Sequence, residues 1–205
     1  MDNGLILNNL CIAQGDTRLF ENFNARIAPQ SVLTLMGPSG SGKSTLLAAI
    51  TGSLAPEFSL SGEIWLNGRA LMGLPPEQRR TGILFQDHLL FPHLSVADNL
   101  AFGLARGVPD RRARVEAALA EIDLVGFGPR DPATLSGGQR ARVALMRTLL
   151  SEPEVLLLDE PFSRLDTDLR ARMRDMVFSR AHAAGLPVLL VTHDAADAVG
   201  EVVRL

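Results

Sequence analysis

The chain has 205 residues, 46% of them hydrophobic and 21% charged, with a net charge of −3; that is enough for one large or two small domains with a substantial core. Its arginines are scattered among acids apart from the pairs Arg79-Arg80 and Arg111-Arg112, which excludes the basic footprint of a nucleic-acid binder. The single Cys11 excludes an internal disulfide and fits a reducing compartment, with the thiol expected to be an inert, buried small hydrophobe.

The N-terminus carries Asp2 and no Lys or Arg before Arg18, so no secretory signal is expected. Apolar runs such as Val155 to Leu158 and Pro187 to Val191 fall short of the ~20 residues a membrane span needs. A soluble chain that stays in the cytoplasm is the expectation. Leu5 to Ala13 is largely apolar, Gly15-Asp16 is a turn signal and Phe23 to Ile27 alternates; with Glu63 to Leu66 and its Asn67-Gly68 turn, these read as a small antiparallel layer. Val32 to Met36 (VLTLM) has a buried strand's composition, and Ser44 to Ile50 has good helix formers. Between them lies GPSGSGKST. Gly37, four residues, then Gly42-Lys43-Ser44, set between strand and helix, is the phosphate-loop pattern in its required context.

The candidate phosphate ligands are Gly37, Pro38, Ser39, Gly40, Ser41, Gly42, Lys43, Ser44 and Thr45. Gly37, Gly40 and Gly42 let successive N–H groups turn inward toward a phosphate, at the partly positive N-terminus of the next helix. Lys43 supplies a full charge for the β- and γ-phosphates, Ser44 a hydroxyl for Mg²⁺, and Thr45 a reach to the α-phosphate. A flexible glycine-serine turn does not account for Lys and Ser in this order.

From Thr81 to Gln86 (TGILFQ) the chain returns to a core strand, and residues 88 to about 150 read as a helical insertion. Ser95 to Asp98 is a capping-box pattern, and Asp110 opens a helix with Val115, Ala118, Leu119 and Ile122 on one face. Leu135 to Gln139 (LSGGQ) has two readings. Ser136, Gly137, Gly138 and Gln139 form a second anion-binding loop at a helix N-terminus, or simply cap the helix that carries Val143, Ala144 and Met146. The buried run Val155 to Leu158 ends in Asp159 and Glu160, at the strand end where ligands bind in such sheets. Asp159 is read as the Mg²⁺ carboxylate and Glu160 as the base that polarises a water; the alternative is a solvated strand end with two acids. Asp166 to Ala184 is a helix closed by Gly185, and Val188 to Val191 a second buried run. The fold expected is α/β: a P-loop NTPase core with a mostly parallel sheet, an N-terminal antiparallel β layer and an inserted helical subdomain. The whole chain, 1–205, is read as one domain, with the core in 1–87 and 151–205 and the helical part at about 88–150.

The order GPSGSGKST, Gln86, LSGGQ, VLLLDEP, Leu165-Asp166 and His193 resembles the ATP-binding subunit of an ATP-binding-cassette (ABC) transporter. Leu90 to Leu104 (LFPHLSVADNLAFGL) is similar to the subfamily that serves bacterial binding-protein-dependent importers. The resemblance implies an ATPase with ATP and Mg²⁺ as cofactors. It implies that Gln86 touches Mg²⁺ or the attacking water and reports nucleotide state, that His193 hydrogen-bonds the γ-phosphate, and that Asp166 contacts the opposite subunit. Ser136 and Gly138 are then ligands for the γ-phosphate held by the other subunit, so two ATP molecules are sandwiched in a head-to-tail homodimer. The implied partners are integral-membrane permease subunits, docked beside Gln86 and Leu89 to Leu94 with Phe91 as an anchor, and through them an extracytoplasmic solute-binding protein. The implied place is peripheral, at the cytoplasmic face of the cell membrane, and the implied direction import. An ABC-type ATPase acting on nucleic acid or the ribosome usually has a coiled-coil insertion, duplicated cassettes or a basic patch, and the sequence has none. A phosphate-loop kinase leaves LSGGQ unexplained.

Three departures stand out. Gln14 occupies the place where the family puts an aromatic that stacks on adenine, and there is no tyrosine in the chain; Phe20 is the candidate substitute. Arg164 stands where a small residue is usual. The chain ends at Leu205 in what reads as the start of another strand, so no C-terminal regulatory domain is expected.

Overall fold

The computed structural model describes residues 3–205 except His88 and Arg164; the departure at Arg164 therefore lies outside the described residues. In chain order the elements are β1 (Leu5–Gln14), β2 (Thr17–Ile27), β3 (Val32–Met36), α1 (Lys43–Thr51), β4 (Phe58–Leu66), β5 (Arg69–Ala70) and β6 (Thr81–Leu84). There follow α2 (Val96–Gly103), α3 (Arg111–Glu121), α4 (Gly137–Leu150), β7 (Val155–Asp159), α5 (Thr167–Ala183), β8 (Val188–Thr192) and β9 (Glu201–Arg204). The chain divides into two compact units, one of Met1–Ile83, Glu154–Glu160 and Phe178–Leu205, the other of Leu84–Pro153 and Pro161–Val177.

The first unit holds two sheets. The antiparallel one runs β2-β1-β4-β5, and the other β6-β7-β8-β3-β9, with β7, β8, β3 and β9 mutually parallel. The runs that form β7 and β8 are unbroken apolar stretches with essentially no solvent exposure, as strands covered on both faces must be. Leu46, Leu47 and Ile50 of α1 join Leu35, Leu157 and Val191 of the parallel sheet and Leu7, Ile12 and Ile64 of the antiparallel one in a single core. Strand β6 ends at Leu84, so Phe85 and Gln86 lie beyond it rather than inside a strand.

Two expectations about this unit are corrected. Phe20 is 4% exposed and packs edge-on against Phe23 at 5.2 Å, because it takes an inward position of β2; it is a core ring with no free face. Cys11 is half-buried in a polar niche rather than an apolar one. Its Sγ accepts from the Asn22 amide at 3.3 Å and lies 3.7 Å from the Asn9 carbonyl, where the register of β1 against β2 shifts.

The second unit is helical and has its own core, with Val96 and Leu100 of α2, Val115 and Leu119 of α3, and Val143 and Met146 of α4 packed around Leu135. Ser95 caps α2 by accepting from the Asp98 amide at 3.1 Å. Asp110 precedes α3 in the left-handed region (φ 52°) and makes no side-chain cap. The fully buried Asn99 donates to the carbonyls of Phe91, Leu94 and Ser95 and accepts from the Phe91 amide, which fixes the shape of residues 91–95. Among the described residues no helix is long and apolar enough to cross a membrane.

Candidate active site

Since β7, β8 and β3 are parallel neighbours, their C-terminal ends share one edge of the sheet. Met36 of β3 is level with Thr192 of β8, and Asp159 of β7 with Val191. Everything that directly follows these residues is thereby gathered at one place: the phosphate loop after Met36, Glu160 after Asp159, and His193 after Thr192.

The loop is shaped to leave amides open. Gly42 sits in the left-handed region (φ 88°) as the N-cap of α1, and no side chain caps that helix, so its first amides remain available to an anion. Lys43 is only 5% exposed. Its Nζ donates to the carbonyls of Gly37 at 2.8 Å and Pro38 at 2.7 Å, with Ser41 Oγ at 3.5 Å, so the loop is curled around its own ammonium group. Pro38, Ser39 and Gly40 form the exposed tip, Ser44 is exposed and Thr45 half-buried.

The Ser44 hydroxyl at the N-terminus of α1 and the Lys43 charge both act on the Asp159 carboxyl at the end of β7. Burial holds the Asp159 carboxyl above its ordinary range; the neighbouring Glu160 charge acts in the same direction, while the Ser44 hydroxyl and Lys43 oppose it. The next residue leaves the strand in the left-handed region, with Glu160 at φ 47° and its amide bonded to the Val191 carbonyl at 2.9 Å. A non-glycine residue there is uncommon, though eight others among the described residues share the region. The turn sets the Glu160 carboxylate 2.8 Å from His193 Nδ1. Glu160 is the more enclosed of the two, with 16% of its side chain exposed against 52% for His193.

In the helical unit, Ser136 Oγ accepts from the Gln139 amide at 3.3 Å while Gln139 Oε1 accepts from the Ser136 amide at 2.9 Å, a closed capping box on α4. Gly138 is buried, and a Cβ there would fall 2.2 Å from Leu169 Cδ2; only glycine lets α4 start this close to α5. Asp166 caps α5 by accepting from the Leu169 amide at 3.0 Å. Gln86 is exposed.

Of the residues singled out from sequence, Lys43, Ser44 and Asp159 thus lie in one group linked electrostatically, and Glu160 and His193 form a bonded pair at the same sheet edge. Gln86, Ser136, Gly137, Gly138, Gln139 and Asp166 belong to the helical unit. Missed from sequence were the direct bond between Glu160 and His193 and the buried Asn99. The former had a faint signal, a polar residue immediately after each of two buried runs. Among the described residues no group of three or more His, Cys, Asp or Glu side chains is arranged to hold a metal. One carboxylate and one hydroxyl at the lip of a phosphate loop suit Mg²⁺, which keeps waters and takes its remaining ligands from phosphate oxygens.

A family profile described as "ABC transporter" matches residues 20–163. The chain is 50% identical to the ABC transporter ATP-binding protein YnjD of Escherichia coli, over 94% of this chain and 90% of that protein. It is 46% identical to the spermidine/putrescine import ATP-binding protein PotA of Methylococcus capsulatus, over 87% of this chain and 46% of that one, so it spans about half of that relative's length. It is 40% identical to a probable sulfate/thiosulfate import ATP-binding protein, CysA, of Chlorella vulgaris, over 95% of this chain and 83% of that one. Among solved structures, the dimeric ATP-binding cassette MJ0796 bound to ADP and Pi superposes with a TM-score of 0.83 at 30% identity, covering 98% of this chain and 94% of that one.

Proposed function

The chain belongs to the ABC transporter family, and we propose that it is the ATP-hydrolysing motor subunit of a membrane importer. The observation that carries the chemistry is the Glu160–His193 pair at 2.8 Å, set on the sheet edge that also bears the phosphate loop. In this reading Lys43 turns from the loop carbonyls to the β- and γ-phosphates, and the open amides of α1 take the remaining phosphate charge. Glu160 accepts the proton of the attacking water, and His193 holds the Glu160 carboxylate in place and donates to the γ-phosphate. Ser44 and Asp159 would hold Mg²⁺, which would supply charge neutralisation on the phosphates when bound; Gln86 is the further ligand that the family resemblance implies. The work is positional and electrostatic, as phosphoryl transfer to water generally is.

The dimeric cassette MJ0796 supports a head-to-tail homodimer, in which Ser136, Gly137, Gly138 and Gln139 of one subunit face the γ-phosphate of the other and Asp166 lies at the contact. The import relatives PotA and CysA support a membrane permease as partner and import as direction, with a solute-binding protein on the far side and this chain peripheral at the cytoplasmic face. The permease docks on the helical part, at about 88–150, against Leu89 and Phe102, which are 65% and 66% exposed. The half-buried Phe91 packs against Phe102, ring to ring at 4.6 Å. Exposed aromatic anchors over a packed base are what dominate such interfaces.

Replacing Glu160 by Gln tests the chemistry. Turnover should fall by roughly 10² to 10⁴, the usual worth of a general base, with ATP affinity retained. Near-normal turnover moves the base elsewhere.

A further inference from the structure

Beneath the phosphate loop, at the far end of α1, lies a buried cation that the reaction does not use. Arg79 is 6% exposed. Its Nη1 donates to the carbonyls of Ala49 at 2.8 Å and Ile50 at 3.0 Å, in the last turn of α1, and its Nε donates to Leu74 O at 2.8 Å. Every one of these acceptors is main-chain. A Cβ at Gly52, just past the helix end, would fall 2.5 Å from Arg79 Nε, so the chain is cut back to admit the guanidinium. Burial lowers the pKa of this arginine, yet guanidinium stays charged at any physiological pH. A charged fork on terminal helix carbonyls is well matched to the negative end of the helix dipole.

Arg79 is itself held from the β7 side. Arg69 donates to Arg79 O at 3.3 Å and to Glu154 Oε2 at 3.1 Å, and Arg80 donates to Glu154 Oε1 at 2.9 Å. The Glu154 amide in turn donates to Arg80 O at 2.8 Å. Glu154 directly precedes β7, and α1 packs against β7. Helix and strand therefore face each other through Ser44 and Asp159 at the end where the nucleotide reading puts phosphate and metal, and are tied by Arg79 through Arg69 and Glu154 at the opposite end.

We propose that Arg79 is a positioning residue for nucleotide binding, which fixes α1 lengthwise against β7 so that Ser44 meets Asp159. This rests on the nucleotide reading above. It makes a distinction that a purely structural role does not. Contacts made by the loop alone travel with α1 and survive its slippage, whereas a metal shared between α1 and β7 needs their relative position. The loss on removing Arg79 should therefore appear in the Mg²⁺-dependent part of the affinity.

The test is titration of the full chain and its Arg79→Met and Arg79→Lys variants with a fluorescent ATP analogue, in EDTA and in Mg²⁺, below every variant's melting temperature. In Mg²⁺ the dissociation constant of Arg79→Met should rise about tenfold and in EDTA less than about twofold, with Arg79→Lys between Met and parent. If Arg79→Met does not fold, Arg79→Lys carries the test through the same Mg²⁺-selective loss. Equal losses in both buffers, or none in either, overturn the proposal while a binding parent upholds the nucleotide reading. A parent that binds no nucleotide overturns both.

Discussion

Two glycine loops open helices in this chain, and they differ in what they leave unsatisfied. The phosphate loop before α1 has a left-handed glycine as its cap and no side-chain cap, and its one ammonium is parked on the loop's own carbonyls. The LSGGQ loop before α4 is closed on itself, with Ser136 and Gln139 satisfying each other's amides. The first therefore offers a complete site for a polyanion: open amides, helix dipole and a full charge. The second offers only its remaining amides and a hydroxyl already accepting a bond, too little to hold a nucleotide alone but enough to complete a site supplied by another subunit. The capping chemistry of the two loops is thus what the proposed shared site requires.

The contrast is broken or upheld most directly by paired substitutions. Lys43→Ala should weaken ATP binding by about 100-fold or more, since it removes the full positive charge that the phosphate loop carries. Ser136→Ala should leave the affinity of dilute protein within about twofold and cost about 1 kcal/mol of stability through the lost cap, while turnover of concentrated protein falls about tenfold. Equal loss of affinity in dilute protein would mean that both loops serve one site in one chain. Gly138→Ala probes the second loop through packing. Its Cβ meets Leu169 Cδ2 at 2.2 Å, so a destabilisation of about 1–3 kcal/mol is expected, relieved in the double variant with Leu169→Ala. Denaturant titration of the three variants decides it.

Both loops were legible in the sequence because each needs a fixed order of residues to make its turn and cap. The strands β7 and β8 were legible too, since continuous burial demands unbroken apolar runs. What was not legible is lateral order. That β8 lies between β7 and β3, which sets His193 against Glu160, follows from crossover connections that no local pattern records. The same holds for Pro161–Val177, which packs with the helical unit although it follows a core strand. Phe20 was misread for a related reason. Its side of β2 is inward, and the register shifts between β1 and β2 conceal that alternation.

The metal side of the first loop is probed by pH. Burial raises the Asp159 carboxyl above its ordinary 3.8, so between these two values the native state binds more protons than the unfolded one. Stability of the ligand-free chain therefore falls as pH rises through that window. Asp159→Asn should melt slightly higher than the parent at pH 7, with the difference closing as pH falls through that window and gone below about 4. With nucleotide and Mg²⁺ at 100 times the parent's dissociation constant, the parent should gain about 2.7 kcal/mol and the variant markedly less. A variant that melts lower than the parent at pH 7 without ligand would show that the charge is stabilising where it sits.

The smallest effect expected concerns the base of the nucleotide. Gln14 is exposed at the end of β1, level with Thr17 of β2 and Phe58 of β4, and has no ring to offer. Stacking a nucleobase on an aromatic ring is worth on the order of 1–3 kcal/mol in single-strand binding. Without it, affinity rests on phosphate contacts that every nucleoside triphosphate shares, and the first loop bears nearly the whole burden. ATP should be only weakly preferred over GTP, and Gln14→Tyr should tighten ATP by up to about tenfold, at the low end of the stacking range because the position is solvated. Phe20→Ala, in contrast, should cost about 3–5 kcal/mol of stability and shift ATP and GTP affinities together, since the ring belongs to the core. Dissociation constants for both nucleotides with the parent and the two variants separate the cases. A selective loss of ATP in Phe20→Ala with no gain in Gln14→Tyr would return Phe20 to the adenine, and the phosphate loop would no longer stand alone.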